Sequence, residues 1–478
     1  MKKIFTVFVI SVVFISSGYS QFPEDALRLS VPGLGIGARS LGMGLAYTGV
    51  ANDFSASYWN PAGLGQIRFN EVSMGLSNVS YGNTSTYLGN NQSLTNSSTS
   101  LNSFGLVYPV PTVKGSFVLA IGYGKQADYT SGLSYKGFNN KSSIIQSWAP
   151  NGRTYPSDLS ENIAYQLYLA NIDTITGRFV SLIDDSVTQS GKVLEGGGLN
   201  QIVVSGAVEA ARNLYLGGTL SFYTGSYSYI RSYYEDDIGN TVYTPNRSPF
   251  DFTSLSLKQT VESDLSGFTV KLGLLYKLSP RGRLGIAIKT PSWITVRETF
   301  AEDASSDFDN GDHFDFTAND GYAQKNEYDV ATPFILSSGF SYEIRNILFV
   351  GDVEFTDWTQ MEFRNGDARL RSFNTDIKEI FRPTLNIRLG TEVEVVDTGL
   401  RLRGGFAYLP SQYKDDPSAF AQKYLTAGIG FIVENSIAID LGYAYGYWDT
   451  YHQIYDGVST QIEHIKTHNL ISTISYRF

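Results

Sequence analysis

Residues 437–447 read IAIDLGYAYGY and alternate between two kinds of side chain. Large apolar or aromatic residues occupy every odd position from Ile437 to Tyr447, and small or polar residues occupy the even positions. Because successive side chains of a β-strand point to opposite faces, this stretch predicts a strand with lipid on one side and a lumen on the other. The preceding stretch repeats the pattern, with predicted outward residues at Leu425, Ala427, Ile429, Phe431 and Val433.

Stretches of this type recur about fourteen times, an even number, as in single-chain bacterial outer-membrane barrels. Their predicted positions are 68–80, 101–110, 115–124, 199–210, 213–224, 262–278, 283–297, 330–344, 346–358, 381–395, 399–409, 421–434, 436–449 and 464–478. The sequence therefore predicts an all-β membrane protein, in which residues 68–478 form a 14-stranded antiparallel transmembrane β-barrel.

The connections between these stretches alternate between very short and long segments. Tight turns are predicted at 109–115, 210–213, 279–283, 345–346, 396–399 and 434–435. The long segments are notably 125–200, 225–261 and 299–329. Short turns of such barrels lie on the periplasmic side and long loops lie outside the cell, so both termini are expected to be periplasmic.

The first 20 residues have the features of a signal peptide. Lys2 and Lys3 precede an apolar run from Ile4 to Ile15, and the small residues Gly18 and Ser20 precede the expected cleavage site. The apolar run is shorter than the roughly 20 residues that a membrane-spanning helix needs, and no later segment is long and apolar enough. We therefore expect export to the bacterial outer membrane.

The composition agrees with an exported barrel. The 478-residue chain contains 47 Gly, 32 Tyr and 29 Phe, and no Cys. The lack of cysteine excludes a disulfide framework and thiolate chemistry. The chain has 36 Lys and Arg against 46 Asp and Glu, a formal charge of -10, which argues against nucleic acid as a partner.

Residues 37–65 read GARSLGMGLAYTGVANDFSASYWNPAGLG and are rich in small residues. They lie between the signal peptide and the first predicted strand. We interpret residues 21–67 as a compact plug, or hatch, around which the barrel closes. Glycines such as Gly37, Gly42 and Gly44 would let its backbone pack closely against the wall.

A series of motifs follows the signal peptide in order: GARSLGMG at 37–44, AND at 51–53, YWNPAGL at 58–64, TPF at 332–334, DVEFTDW at 352–358, RLGTE at 388–392 and RLRGGFAY at 401–408. Together they resemble the FadL-type (OmpP1/FadL/TodX) family of outer-membrane transporters for long-chain fatty acids and other hydrophobic compounds. The resemblance covers nearly the whole mature chain. It implies a fourteen-stranded barrel with an N-terminal hatch in its lumen, which agrees with the strand count.

The resemblance also implies passive uptake without an energy source or a cofactor. A ligand would be captured outside, pass to a pocket in the barrel and leave after a rearrangement of the hatch, often sideways through the wall. The residues that correspond to the hatch motif are Asn60, Pro61, Ala62 and Gly63. The alternative is that the hatch is a rigid cork. Gly122 and Gly124 of the third strand are candidate positions for a kink in the wall.

Several charged residues are predicted to face the lumen: Lys271, Lys289, Glu343, Asp352, Glu354, Arg388, Glu392, Arg401, Arg403 and Asp440. A basic member, Arg388, Arg403 or Lys271, could hold the carboxylate of a bound acid. The alternative, which we favour, is that these residues form a lattice of salt bridges that braces wall and hatch, because an uncompensated buried charge is costly.

The long segment 125–200 contains apolar clusters that predict a partly folded cap. These clusters either pack against each other, which we favour, or form a groove where a ligand first lands. The acidic cluster between residues 301 and 315 could bind calcium, although its spacing does not fit an EF-hand and a solvated loop is the simpler interpretation. His464 and His468 lie about 13 Å apart along one strand, too far to share a metal. No metal site is therefore predicted.

Three functions compete at this stage. The leading one is a passive transporter for long-chain fatty acids or similar hydrophobic molecules. The second is a barrel without transport activity, acting as a secretion-system accessory or a surface anchor. An enzyme is the least favoured, because no nucleophile elbow, phosphate loop or zinc-type histidine pair is present. The terminal Phe478 on an alternating strand predicts contact with the barrel assembly machinery, and outer-membrane lipid and lipopolysaccharide are the other expected partners.

Overall fold

The computed structural model describes residues 22–154, 159, 162–238, 251–316, 324–434, 436–455 and 461–478, so the predicted signal peptide lies outside the described residues. The α-helices are α1 (Pro23–Ser30), α2 (Ala38–Gly42), α3 (Ala56–Trp59), α4 (Ile145–Trp148), α5 (Ile163–Gln166) and α6 (Ala368–Ile380), with 3-10 helices at Pro61–Gln66, Trp358–Gln360 and Ser418–Phe420. Among the described helices, none is both long and apolar enough to cross a membrane.

The strands are β1 (Glu71–Tyr87), β2 (Asn90–Val110), β3 (Phe117–Asp128), β4 (Ser131–Asn139), β5 (Ala170–Asp173), β6 (Arg178–Ser181), β7 (Val187–Ala211), β8 (Leu214–Asp236), β9 (Phe252–Lys277), β10 (Gly282–Lys289), β11 (Trp293–Phe308), β12 (His313–Phe316), β13 (Gln324–Ala331), β14 (Ile335–Ile344), β15 (Ile347–Asp357), β16 (Glu362–Arg364), β17 (Pro383–Val395), β18 (Leu400–Leu409), β19 (Gln422–Val433), β20 (Ile437–His452) and β21 (Gln461–Arg477).

These strands form a closed antiparallel barrel of fourteen wall strands. The ring is completed by β1, which pairs with β21 from Glu71 opposite Arg477 to Thr86 opposite Ile462. Three wall strands are each interrupted once: between β3 and β4 at residues 129–130, between β10 and β11 at Pro291, and between β13 and β14 at Pro333. Proline cannot donate to the ladder, which explains the second and third interruptions. Counting each broken strand once confirms the predicted fourteen.

The two faces of the wall have the predicted character. In β20, Ile437, Ile439 and Leu441 are exposed on the outer surface, whereas Ala438 and Ala444 are buried inside. The same apolar outer face recurs around the barrel and forms one belt. The alternation in residues 437–447 therefore marks a lipid-facing strand, as predicted.

The predicted long loops are shorter than expected, because the ladders continue past the apolar belt. β7, β8 and β9 contain 25, 23 and 26 residues and carry strand into the segments predicted as the loops 125–200 and 225–261. β11, β12 and β13 do the same for residues 299–329. Above the belt the outward face is no longer apolar, so the lipid-facing pattern disappears from the sequence while the backbone hydrogen bonds persist. Residues 239–250 and 317–323 lie outside the described part.

The cap packs against itself and against the tall strands. Side chains such as Ile145, Leu167 and Ile183 are fully buried in one apolar cluster that also includes Tyr233 of β8. The carboxylate of Glu235 ties the cap down, because it accepts hydrogen bonds from the Ile144 backbone N–H (2.8 Å) and from the Ser143 hydroxyl. The self-packed cap is thus the arrangement that the described residues adopt.

Residues 22–67 lie inside the lumen, and the wall is shaped to admit their backbone. Eight inward-facing glycines, one in each of eight wall strands, touch the hatch backbone so closely that a Cβ atom on any of them would lie 2.2–3.0 Å from a hatch main-chain atom. We call this set the glycine belt: Gly217, Gly273, Gly285, Gly339, Gly390, Gly405, Gly428 and Gly442. The belt lets hatch and wall meet main chain to main chain.

The two ends of the described chain lie at opposite ends of the lumen. Phe478 exchanges backbone hydrogen bonds with Asn70 at the tight-turn end, whereas α1 contacts α6, which belongs to a connection at the long-loop end. The first described helix thus lies at the long-loop end, and the periplasmic placement of both termini stays a prediction. The apolar residues Ala26 and Leu29 of α1 are buried in a cluster with residues of α6, which explains why it lies there.

The glycine belt predicts that a single methyl group can unseat the hatch. A Cβ at position 390 would lie 2.2 Å from the carbonyl oxygen of Met43, so Gly390→Ala should prevent close docking. Gly351→Ala on the adjacent strand is the matched control, since its nearest neighbour would be Leu389 Cδ2 at 3.4 Å.

The measurements are ion conductance in planar bilayers and protease cleavage of the hatch. Gly390→Ala should conduct more and be cut faster than the wild type, and Gly351→Ala should match the wild type. A closed and protease-resistant Gly390→Ala protein would show that the belt is not needed for docking.

Candidate functional site

The predicted hatch motif joins the hatch to itself and to the wall. The Asn60 side chain accepts a hydrogen bond from the Ala62 backbone N–H (3.2 Å) and donates to the carbonyl oxygens of Thr48 (2.9 Å) and Leu274 (3.0 Å). Pro61 begins the 3-10 helix Pro61–Gln66. The motif is thus a bend whose asparagine satisfies three backbone groups at once.

Gly63 of the same motif allows the hatch to fold onto itself, because a Cβ there would lie 2.1 Å from the carbonyl oxygen of Ala51. The three predicted hatch glycines all lie at wall contacts. Gly37 donates its N–H to Asn102 (3.1 Å), Gly44 donates to Thr426 (2.9 Å), and Gly42 lies against Gly428. Gly37 and Gly44 have φ values of +93° and +66°, which favour glycine.

A buried ion-pair network clamps α2 to the wall. Arg39 of the hatch makes a bidentate pair with Glu392 of β17, at 2.7 and 2.8 Å. Glu392 also accepts from Arg403 of β18 (2.6 Å), and Arg403 pairs with Asp440 of β20 (2.6 Å). The Arg403 side chain is only 1% exposed. Arg403, predicted as a possible ligand contact, is therefore already paired with two acids.

Asp352 of β15 holds the next turn of the hatch. Its carboxylate accepts hydrogen bonds from the backbone N–H groups of Tyr47 (2.8 Å) and Thr48 (2.7 Å). Together with the glycine belt and the Arg39 pair, this contact fixes residues 37–66 against the wall.

The second predicted contact residue, Arg388, is also paired. Its guanidinium bonds to Glu354 at 2.7 and 3.2 Å, and it lies 5.6 Å from the ring centroid of Trp59. The side chains of Arg388 and Glu354 are 6% and 10% exposed. The favoured salt-bridge lattice thus describes the geometry of Arg388 and Arg403.

Lys271 differs from these arginines. Its ammonium donates to the backbone carbonyl oxygen of Tyr58, and it lies directly across the strand pair from Lys289 of β10. The Lys289 ammonium lies 5.8 Å from the ring centroid of Tyr223. Within the described residues neither lysine has an acidic partner at ion-pair distance. The nearest acid in the cavity lining, Glu354, is already paired with Arg388, so neither lysine has an acid of its own.

Both lysines line a cavity of about 350 Å³ between the hatch and the wall. The cavity lies above the fixed part of the hatch, and α1 contributes Arg28 to its rim. Its apolar and aromatic lining residues include Leu34, Leu45, Trp59, Leu409, Tyr424 and Trp448. This combination of an apolar pocket with a few charged groups is typical of small-molecule sites.

Lys289 was not among the residues proposed from sequence to contact a ligand. The strand register could have identified it from sequence, because the tight turn near residues 279–282 places Lys289 opposite Lys271 in the hairpin. Two lysines on one inward face of a hairpin indicate a site that needs an anion.

The wall is incomplete beside this cavity. The ladder between β2 and β3 ends at Ser103 and Gly124, close to the predicted kink positions. Beyond that point a side chain bridges the two strands, because Lys125 of β3 donates to the Ser100 hydroxyl of β2 (2.7 Å). Lys125 also pairs with Asp128 on its own strand.

The hatch covers this gap from inside. The Gly33 N–H donates to the carbonyl oxygen of Gln126 (2.9 Å) in β3. Gln126, Ala127 and Asp128 line both the large cavity and a smaller one of about 40 Å³ at the gap. The gap and the cavity are therefore adjacent, with hatch residue Gly33 between them.

The remaining candidate residues form ordinary polar contacts. In the outer hairpin His313 lies between Asp307 (2.7 Å) and Asp315 (3.0 Å), and its hydrogen bond to Asp307 raises the pKa of His313. His464 pairs with Asp449 (2.7 Å), and His468 bonds to the hydroxyl of Tyr443 (2.7 Å). Over the described part of the chain, no group of three or more His, Asp or Glu could hold a metal ion.

Comparisons with known proteins point to one family. The family model described as "Outer membrane protein transport protein (OMPP1/FadL/TodX)" matches residues 192–470. The solved structure of the Pseudomonas putida toluene transporter TodX superimposes with a TM-score of 0.55 at 14% identity, covering 93% of this chain and 99% of that one. Comparison with curated protein sequences finds no match.

Two other solved structures are similar. A FadL homologue from Pseudomonas aeruginosa gives a TM-score of 0.52 at 14% identity, covering 94% of this chain and 99% of that one. The toluene transporter TbuX from Ralstonia pickettii gives 0.50 at 15% identity, covering 93% and 98%. At these identities the structural likeness shows the fold alone.

The ion-pair network predicts a large difference between two glutamates on the same strand. Glu392→Gln would leave the buried guanidinium of Arg39 without its acid, which should lower the free energy of unfolding by about 3–5 kcal/mol. Glu394→Gln breaks only the exposed pair with Arg401, whose glutamate is 55% exposed, and should cost about 0–1 kcal/mol.

Urea unfolding in detergent, followed by the gel shift between folded and unfolded barrel, measures both changes. Equal effects of the two substitutions would contradict the role assigned to the Arg39–Glu392 pair.

Proposed function

The chain belongs to the OMPP1/FadL/TodX family of outer membrane transport proteins, and from that premise we propose that it carries long-chain fatty acids passively through its plugged barrel. The ligand enters the cavity above the hatch, is held there by its carboxylate, and leaves towards the gap beside β3. No cofactor takes part.

The lysine pair is the observation that supports an acid as the ligand. Lys271 and Lys289 place two ammonium groups on adjacent strands at one cavity wall, without an acidic partner among the described residues. Like charges on neighbouring strands repel each other, and a carboxylate between them would remove that repulsion. The cavity of about 350 Å³ is within the usual range for small-molecule pockets, about 300–1,000 Å³. Its aromatic and aliphatic lining suits a hydrocarbon tail.

In this proposal one part of the hatch stays fixed against the wall and the other part moves to open the path. Residues 37–66 are fixed by the glycine belt, Asp352 and the Arg39 pair. Residues 22–35 instead border the cavity and cover the gap through Gly33. Movement restricted to residues 22–35 would open a path from the cavity to the gap while the lower hatch stays in place.

A neutral hydrocarbon is the second candidate ligand. Two of the structures similar to this chain are titled toluene transporters. A neutral aromatic ligand would use the rings around the cavity and leave the lysines unpaired. A barrel that serves as an accessory or an anchor would need no cavity at all, so the cavity favours transport over that alternative.

The acid and the hydrocarbon can be told apart by replacing one lysine. Lys289→Gln should weaken binding of a long-chain fatty acid about tenfold or more, because a charge-assisted hydrogen bond is lost. It should leave binding of the fatty alcohol of the same chain length unchanged. Lys277→Gln is the matched control, since Lys277 lies on the same hairpin but outside the cavity, beside Tyr215.

Displacement of a fluorescent fatty acid from detergent-solubilised protein measures each affinity. If acid and alcohol bind equally well to the wild type, the carboxylate site is wrong and a neutral ligand is favoured. If neither binds saturably, the transport proposal gives way to the accessory or anchor function.

The movement of residues 22–35 can be tested with an engineered disulfide, because the chain contains no native cysteine. A Cβ on Gly33 would lie 3.2 Å from Ala127 Cα, so this pair is close enough to bridge. Oxidised Gly33→Cys/Ala127→Cys should block fatty-acid uptake by whole cells, and reduction should restore it. The same protein in its reduced form is the control.

Transport by the oxidised Gly33→Cys/Ala127→Cys protein would show that residues 22–35 do not gate the path. A non-reducing gel confirms that the disulfide has formed.

A further inference from the structure

A row of alternating tyrosines and lysines crosses the outer surface of four neighbouring strands. The register places Tyr408 of β18 opposite Lys423 of β19, Lys423 opposite Tyr447 of β20, and Tyr447 opposite Lys466 of β21. The next strand presents Gly82 opposite Lys466, which leaves the surface open there. We call these four side chains the tyrosine–lysine row.

The row lies at the upper edge of the apolar belt. One step closer to the tight turns, the outward positions include Leu425 of β19 and, slightly further, Leu470 of β21, which are 53% and 40% exposed. One step towards the long loops, the outward residues are Asp449 and His464, which pair with each other. The row therefore marks the level at which lipid tails give way to head groups, and the long-loop end makes this the outer leaflet.

The lysines of the row are available to a ligand. Lys423 lies 5.6 Å from the ring centroid of Tyr447. Within the described residues neither Lys423 nor Lys466 has an ion-pair partner. Adjacent strands are about 4.8 Å apart, so the two lysines stand about 10 Å apart with Tyr447 between them.

The opposite side of the barrel carries outward charges of both signs above the belt, including the lysines Lys258 and Lys325. Above the belt on β9 and β13 the outward strand positions include the acids Glu262, Asp264 and Glu327. Arg297 of β11 is paired with Glu327 at 3.0 Å. By contrast, the residues directly opposite Lys423 and Lys466 on the neighbouring strands are tyrosines and a glycine, not acids.

We propose that the tyrosine–lysine row binds the phosphate of a phosphorylated glycolipid of the outer leaflet. The ammonium groups of Lys423 and Lys466 hold the phosphate between them, with the hydroxyl and ring edge of Tyr447 beneath it. The acyl chains lie on the apolar surface formed by Leu425, Leu441 and Leu470. This inference rests on the outer-membrane placement and does not depend on which ligand is transported.

The test is native mass spectrometry of the purified full-length mature protein, released from detergent after incubation with a doubly phosphorylated glycolipid or with its dephosphorylated form. The wild type should retain the phosphorylated lipid. Lys423→Gln/Lys466→Gln should retain about tenfold less, since each lysine near an anionic lipid surface contributes several-fold. Lys423→Arg/Lys466→Arg keeps the charge and should retain the lipid. Lys258→Gln/Lys325→Gln, with exposed lysines on the opposite side, is the matched control and should behave as wild type.

Three results would overturn the proposal: equal retention of the phosphorylated and dephosphorylated lipids, an equal loss in the Lys258→Gln/Lys325→Gln control, or no loss in Lys423→Gln/Lys466→Gln. The gel shift of the folded barrel confirms that each variant is folded before its lipid content is compared.

Discussion

The rest of this structure depends on the close approach of the hatch backbone to the backbone of the barrel wall. A barrel of fourteen strands would leave a wide lumen, and along eight wall strands the hatch backbone meets the wall directly, because glycines lie where it passes. At such short range, backbone N–H and C=O groups of the hatch reach wall side chains directly, as in the bonds from Tyr47 and Thr48 to Asp352. The buried polar groups of the hatch are thereby satisfied by the wall.

This fit explains where the open space lies. The lower hatch occupies the lumen tightly, and the cavity of about 350 Å³ lies above it, next to α1 and the interrupted β2–β3 ladder. The wall gap faces the same region. An unpaired strand edge inside a membrane is costly unless other groups satisfy it. Here Lys125 and Gly33 supply those groups from side chain and hatch, and such contacts can be exchanged more easily than a continuous ladder.

The strands could be predicted from sequence because the membrane imposes a local rule: each lipid-facing strand must alternate, as residues 437–447 do. Above the lipid that rule ends, which is why the extensions of β7 to β9 were predicted as loops. The favoured salt-bridge lattice was an inference from mixed charges, but its partners depend on register. Arg388 and Lys271 look alike in sequence, and only the strand pairing shows that one faces Glu354 and the other faces Lys289. The position of α1 also depends on a tertiary contact, with α6.

In this acidic protein, the cations that brace the fold are paired with acids, and the cations proposed to bind ligands are not. Most inward cations are neutralised: Arg39 and Arg403 by Glu392, and Arg388 by Glu354. Leaving a cation unpaired in a chain with ten more acids than bases gives up an available stabilising contact. An unpaired cation is expected where a bound molecule supplies the missing negative charge. Among the described residues, two pairs of neighbouring lysines illustrate this, one inside the lumen and one on the outer surface. The inner pair adjoins an apolar cavity and the outer pair adjoins an apolar surface, so each combines a polar head-group site with room for a hydrocarbon tail.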